Sequence, residues 1–114
     1  MAEERQVVEI SDYSALIRFL SENPVVIMKA HATWCGPCKT IQPFFEEKVN
    51  ELPTGVSVVY VDVEKAPTIS RKYRIRSVPC MISFFKGQPY DVVKGANGGE
   101  IFKFFEKVKK RIGA

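Results

Sequence analysis

The stretch "VVIMKAHATWCGPCK", residues 25–39, decides how the chain folds. Its first six residues are apolar or β-branched apart from Lys29, the make-up of a buried strand. After the cysteines, Ile41, Phe44, Phe45 and Val49 recur at helical spacing, so the spacing predicts a helix over 35–50. A strand that runs into a helix at Cys35 sets that residue among unpaired amides at the positive end of the helix dipole. A free cysteine has a pKa of about 8.5, and this placement lowers it. Cys35 and Cys38 are three apart, on one side of the helix and within bonding reach of each other. Gly36 leaves room at the turn, and Pro37 is tolerated in the first helical turn, where its missing donor would be unpaired anyway. The chemistry this points to is thiol–disulfide exchange. Cys35 attacks a disulfide as thiolate, and Cys38 then attacks the Cys35 sulfur and releases the reduced partner.

Working outward, "VVEI" (7–10) reads as a short strand. Ser11 and Asp12 are candidate caps for a helix carried by Tyr13, Leu16, Phe19 and Leu20. "VSVVYVDV" (56–63) is strongly β-prone and is followed by a short helical piece over 66–73. "CMISFF" and "YDVVK", separated by "KGQP", read as a β-hairpin. A last helix is predicted over 101–112, with Ile101, Phe104, Phe105, Val108 and Ile112 on its apolar face. The order β-α-β-α-β-α-β-β-α implies an α/β fold: a mixed central sheet with helices on both faces.

At 114 residues the chain fits a single domain, 1–114, able to bury one core without staples. With 46% apolar and 26% charged residues it matches ordinary soluble globular proteins and excludes a disordered tail. The opening "MAEERQ" is charged where a secretory signal would be apolar, and no apolar run is long enough to cross a bilayer, so a cytoplasmic location is expected. Three cysteines are too few, and odd in number, for a disulfide framework, and one close pair suggests catalysis or metal. The net charge of +4 raises nucleic-acid binding, since Lys94, Lys103, Lys107, Lys109, Lys110 and Arg111 crowd the end of the chain. Their helical spacing instead reads as the solvated face of the last helix.

These residues carry a resemblance. "ATWCGPCK" (32–39) resembles the active-site signature of the thioredoxins. "YRIRSVPC" (73–80) is similar to the family's segment leading to its cis-proline, "FFKGQ" (84–88) is similar to its hairpin, and Gly95 stands where the family has a glycine beside the active site. The resemblance covers nearly the whole chain and implies the thioredoxin fold and a protein-disulfide reductase. It implies that Trp34, Gly36, Pro37, Val78, Pro79, Gly95 and Ala96 form a shallow groove for an extended client segment. The backbone of Val78 would pair with the client, and Pro79 would be cis. It also implies recharging by thioredoxin reductase or another dithiol donor, with electrons originating from NADPH. Peroxiredoxins, ribonucleotide reductase and methionine sulfoxide reductases are the clients expected of such a protein. No cofactor, metal, nucleic acid or membrane is expected, and the chain is expected to act as a monomer.

The chain departs from the family it resembles on the strand before the motif. Members resemble "VDFWA" there, with a buried aspartate where this chain has Lys29 and an aromatic where it has His31. Alternation puts Val25, Ile27, Lys29 and His31 on one face, and the family's register implies that Lys29 lies beneath the cysteine pair. Desolvation disfavours an ammonium there and a nearby thiolate favours it. Three readings follow: a charged Lys29 stabilises the thiolate, a neutral one takes the proton from Cys38, or the side chain lies along apolar surface and carries its amine to water. His31 reads as a proton-transfer aid or as a partly exposed polar residue. Cys80 is expected to face the active-site edge, either as a third redox thiol or as a small apolar side chain. Three rival functions stand beside the reductase. One is a zinc site built from Cys35, Cys38, Cys80 and His31, against which a single C-x-x-C argues. Another is a thioredoxin-fold binding or scaffold module with little redox role, against which the intact pair argues. The last is an oxidase or isomerase of an oxidising compartment, against which the missing signal and the Gly-Pro spacer argue.

Overall fold

In the computed structural model, which describes residues 4–114, the chain runs β1 (Val7–Glu9), α1 (Tyr13–Glu22), β2 (Val25–His31), α2 (Gly36–Asn50), β3 (Ser57–Asp62), α3 (Pro67–Lys72), β4 (Cys80–Phe85), β5 (Gln88–Lys94) and α4 (Gly98–Ile112). Residues 1–3, part of the charged opening, lie outside the described residues. The strands form one sheet in the order β1-β3-β2-β4-β5. β3 pairs in parallel with both β1 and β2, and β4 pairs antiparallel with β2 and β5. The expected element order and mixed sheet are what the chain forms. Among the described residues no helix is long and apolar enough to cross a membrane.

The period of two along β2 sorts the core into layers. Val26, Met28 and Ala30 face one side, where Leu16, Phe19 and Leu20 of α1 and Ile69 of α3 cover them. Ile27 faces the other side, packed with Phe45 and Val49 of α2 and Ile101, Phe104, Phe105 and Val108 of α4. Each of these large side chains contributes about 1.5–3 kcal/mol by leaving water, and the two layers clamp the sheet between them.

The helix ends follow side-chain chemistry. Asp12 caps α1 by accepting from the Ala15 amide at 2.9 Å. Asn97 caps α4 by accepting from the Glu100 amide at 2.9 Å, so that helix begins three residues before the apolar stripe predicted. Gly98 and Gly99 are weak helix formers, and the cap favours their helical conformation.

The hairpin also differs from expectation. Its turn is Lys86-Gly87 alone, both at positive φ (51° and 81°), and Gln88 and Pro89 belong to β5. Two residues of this hand match the twist of the flanking strands. Pro89 is tolerated because β5 is an edge strand, and a register shift at Ser83/Phe84 absorbs the irregularity.

Candidate active site

Cys35 lies at the junction of β2 and α2, in extended conformation as the N-cap, and Cys38 lies one turn into the helix. Their Cα atoms are 5.3 Å apart and the two sulfurs are bonded. The Cys38 amide donates to Cys35 Sγ at 3.1 Å, so the first sulfur does the work of a capping oxygen. Exposure does not separate the two: Cys35 is 2% exposed and Cys38 3%. What separates them is that Cys35 Sγ faces a helix-terminal amide, whereas Cys38 sits within the helix against β2.

Both cysteines form a small cluster with Ala32, and Val63 and Val78 pack against it. Val78 precedes Pro79 through a cis peptide bond. Trp34 is 67% exposed beside the pair, and with Val63, Ile75, Arg76, Ser77 and Val78 it lines a hollow of about 100 Å³. Gly36 and Pro37 are exposed at the head of α2, and Pro79 is buried. At the end of β5, Gly95 adopts φ 89°, a conformation that disfavours any side chain. From there its amide donates to the Pro79 carbonyl at 2.8 Å, and Ala96 follows half-buried. Val63 and Ile75 were not singled out from sequence, since they join the site only through the loops after β3 and α3.

Lys29 faces the α2 side, as alternation required, but its amine does not reach open water. The residue is 2% exposed. Its Nζ donates to the Cys38 carbonyl at 2.9 Å and to Gln42 Oε1, and stands 5.5 Å from the centre of the Phe45 ring. Gln42 in turn donates to the Tyr60 hydroxyl at 2.8 Å and to Glu46 at 3.0 Å. Desolvation pushes the Lys29 pKa down to about 8, with the Glu46 charge opposing it. Burial raises the pKa of Tyr60, its neighbour across the parallel pair. Sequence reasoning missed Gln42 and Tyr60. The available signals were the i+4 spacing of Gln42 from Cys38 and the place of Tyr60 on the Val58 face of β3.

Lys29, His31, Cys38, Gln42 and Tyr60 share the wall of a cavity of about 490 Å³ behind the disulfide. His31 is half-buried and meets Tyr60 edge to face, with centroids 6.1 Å apart.

Cys80 does not face the active-site edge. It pairs with Ala30 across the sheet and points with it into the α1 and α3 layer, 2% exposed. Burial raises its thiol pKa, with Lys94 opposing, so it behaves as a small apolar side chain. Among the described residues no three His, Cys, Asp or Glu side chains stand close enough to hold a metal. The basic residues of α4 do lie on its outer side. Lys109 meets Glu51 at 2.5 Å and Glu106 at 3.1 Å, Lys107 meets Asp91 at 3.7 Å, and Arg111 lies over the Phe85 ring.

A bonded cysteine pair at a strand-to-helix junction, with a helix amide on the first sulfur, defines a thiol–disulfide oxidoreductase. The comparisons agree. The thioredoxin family model matches residues 6–107. A thioredoxin of Mycobacterium bovis is 36% identical over 97 residues, covering 85% of this chain and 84% of that protein. A bifunctional thioredoxin reductase/thioredoxin of Mycobacterium leprae is 38% identical over 91 residues, 80% of this chain but only 20% of that longer protein. The crystal structure of thioredoxin from Trypanosoma brucei brucei superposes with a TM-score of 0.84 at 30% identity, covering 99% of this chain and 96% of that one. The chain belongs to the thioredoxin family, with the thioredoxin fold and Cys35–Cys38 as the active-site disulfide of a protein-disulfide reductase.

Proposed function

We propose that Cys35 is the attacking thiol and Cys38 the resolving thiol in reduction of client disulfides. The observation that carries the assignment is the helix amide on Cys35 Sγ at 3.1 Å, which favours a thiolate at that atom. The Cys35 thiolate attacks one client sulfur, forming a mixed disulfide and expelling the other client sulfur as a thiolate. Cys38 loses its proton, attacks Cys35 Sγ, and expels the second client sulfur as the disulfide closes. Two electrons pass from the dithiol to the client.

Trp34, Gly36, Pro37, Val78, Pro79, Gly95 and Ala96 form the client groove, with the Val78 backbone pairing with an extended segment. The exposure of Trp34 and the contact of Val78 with the cysteine cluster support this reading. Lys29 is a positioning residue. With a pKa of about 8 its amine is mostly protonated at neutral pH, and a positive charge bonded to the Cys38 carbonyl favours a thiolate at that residue. His31, engaged with Tyr60, is read as a partly exposed polar residue.

The chain acts as a single-domain monomer in the cytoplasm. A thioredoxin reductase or another dithiol donor recharges it, and the fused relative of Mycobacterium leprae supports the first of these. Peroxiredoxin, ribonucleotide reductase and methionine sulfoxide reductase are the proposed clients. The test is the pH profile of alkylation of the reduced protein, with modified cysteines assigned by mass spectrometry. Cys35 should react first, with a midpoint clearly below the ~8.5 of a free thiol. A Cys35 that titrates like a free thiol would overturn the assignment.

A further inference from the structure

We propose that Arg71, Arg74 and Arg76 select clients that carry carboxylates next to the disulfide. The proposal rests on the client groove assigned above and adds the chemistry of what enters it.

The hollow beside the disulfide, walled by Trp34 and Val78, adjoins a second and larger one. Ile75 and Arg76 line both, and Ser70, Arg71 and Arg74 complete the larger, which holds about 640 Å³. A segment lying against Trp34 and Val78 and continuing toward α3 therefore runs onto three guanidinium groups. All three arginines are exposed, and no Asp or Glu lines either hollow.

These arginines contrast with several lysines of the last helix. On α4, Lys103, Lys107 and Lys109 each meet a carboxylate of this chain. None of Arg71, Arg74 and Arg76 has an ion-pair partner among the described residues; Arg71 reaches only the Thr68 hydroxyl, at 3.4 Å. Arg74 also stands just beyond the end of α3 at φ 55°, where glycine would be accommodated without strain. The fold keeps a long charged side chain there instead. Guanidinium groups form forked, charge-assisted bonds with carboxylates, and several unpaired ones beside an apolar groove complement an acidic extended peptide. An occupant that reaches both the arginines and the disulfide is a disulfide-bearing polypeptide, which sets it apart from a nucleic acid.

The experiment compares two peptides that share one disulfide and differ only in its flanking residues, Asp and Glu in one, Asn and Gln in the other. Reduction by the full chain is followed as kcat/KM. The acidic peptide should be reduced about tenfold faster at low salt, the scale of charge steering. The advantage should shrink toward one at about 1 M salt, where screening reaches ~3 Å. It should also shrink toward one in Arg71→Gln/Arg74→Gln/Arg76→Gln, with turnover of the neutral peptide reporting that fold and dithiol are intact. Equal rates for both peptides with the wild-type chain would overturn the proposal. So would an advantage that survives the triple substitution or high salt, or one abolished by a single-stranded oligonucleotide that the arginines bind in preference to the acidic peptide. Failure to reduce either peptide would strike the disulfide-reductase assignment instead, and so is distinguishable.

Discussion

The amine nitrogen of Lys29 lies 2.9 Å from the carbonyl oxygen of Cys38, so a buried amine bonds directly to the second redox cysteine. Cys38 and Lys29 also line one and the same cavity.

Replacing Lys29 by Met keeps an unbranched side chain, one atom shorter, and removes the charge. A cation that stabilises a thiolate stabilises the reduced state, so its loss should make the protein more reducing. The expected fall in reduction potential is about 30 mV, a tenfold change in the two-electron equilibrium, measured by equilibration with glutathione. An unchanged potential would show that the amine only fills space and satisfies the carbonyl.

The same amine should make stability depend on pH. Burial lowers the Lys29 pKa from 10.5 to about 8, so between those values the unfolded chain binds more protons than the folded one. Stability therefore rises as pH climbs from about 8 toward 10.5 and is lost as pH falls back through about 8. In urea unfolding of the oxidised protein, where the paired cysteines do not titrate, wild type should gain roughly 2–3 kcal/mol over Lys29→Met between pH 7 and pH 10.5. A constant difference across that range would contradict the lowered pKa.

Arg5 ties the start of the chain to the far end of α2. Its guanidinium donates to the carbonyls of Val49, Leu52, Pro53 and Val56 at 2.6–2.9 Å. Val49 lies in the last turn of α2, so the cation also meets the negative end of that helix dipole. Arg5→Met should destabilise by about 2–4 kcal/mol in chemical denaturation, because several carbonyls lose charged donors together. Arg5→Lys should recover only part, since one ammonium lacks the fork. Equal stability of all three would mean that water replaces the guanidinium without loss.

Lys86 holds φ 51° in the two-residue hairpin turn, with its side chain exposed. Asparagine tolerates this conformation better, so Lys86→Asn should raise stability by about 1 kcal/mol, read as a Tm a few degrees higher. A lower Tm would show that the lysine side chain contributes something the turn geometry does not reveal.

Element order, the strand-to-helix junction at Cys35 and the face occupied by Lys29 were all legible, because each depends on local spacing: periods of two and 3.6, and a cap. The fate of the Lys29 amine was not. Its acceptors are the Cys38 carbonyl and Gln42, brought over β2 only when α2 docks on the sheet. Cys80 was misplaced for a related reason. Its direction is set by the antiparallel register that opposes it to Ala30, and register is a property of two strands. The groove walls at Val63 and Ile75 come from separate loops, and no single window of sequence contains them with Trp34.

The irregular hairpin has a consequence for how the protein coexists with its own clients. A sheet edge is a template on which any extended chain can add itself, and an unguarded edge invites self-association. Here one margin, β1, is three residues long. The other, β5, carries a proline without a donor, a register break, and charged residues at Lys86 and Lys94 around it. Both margins of the sheet therefore carry features that disfavour the addition of a further strand.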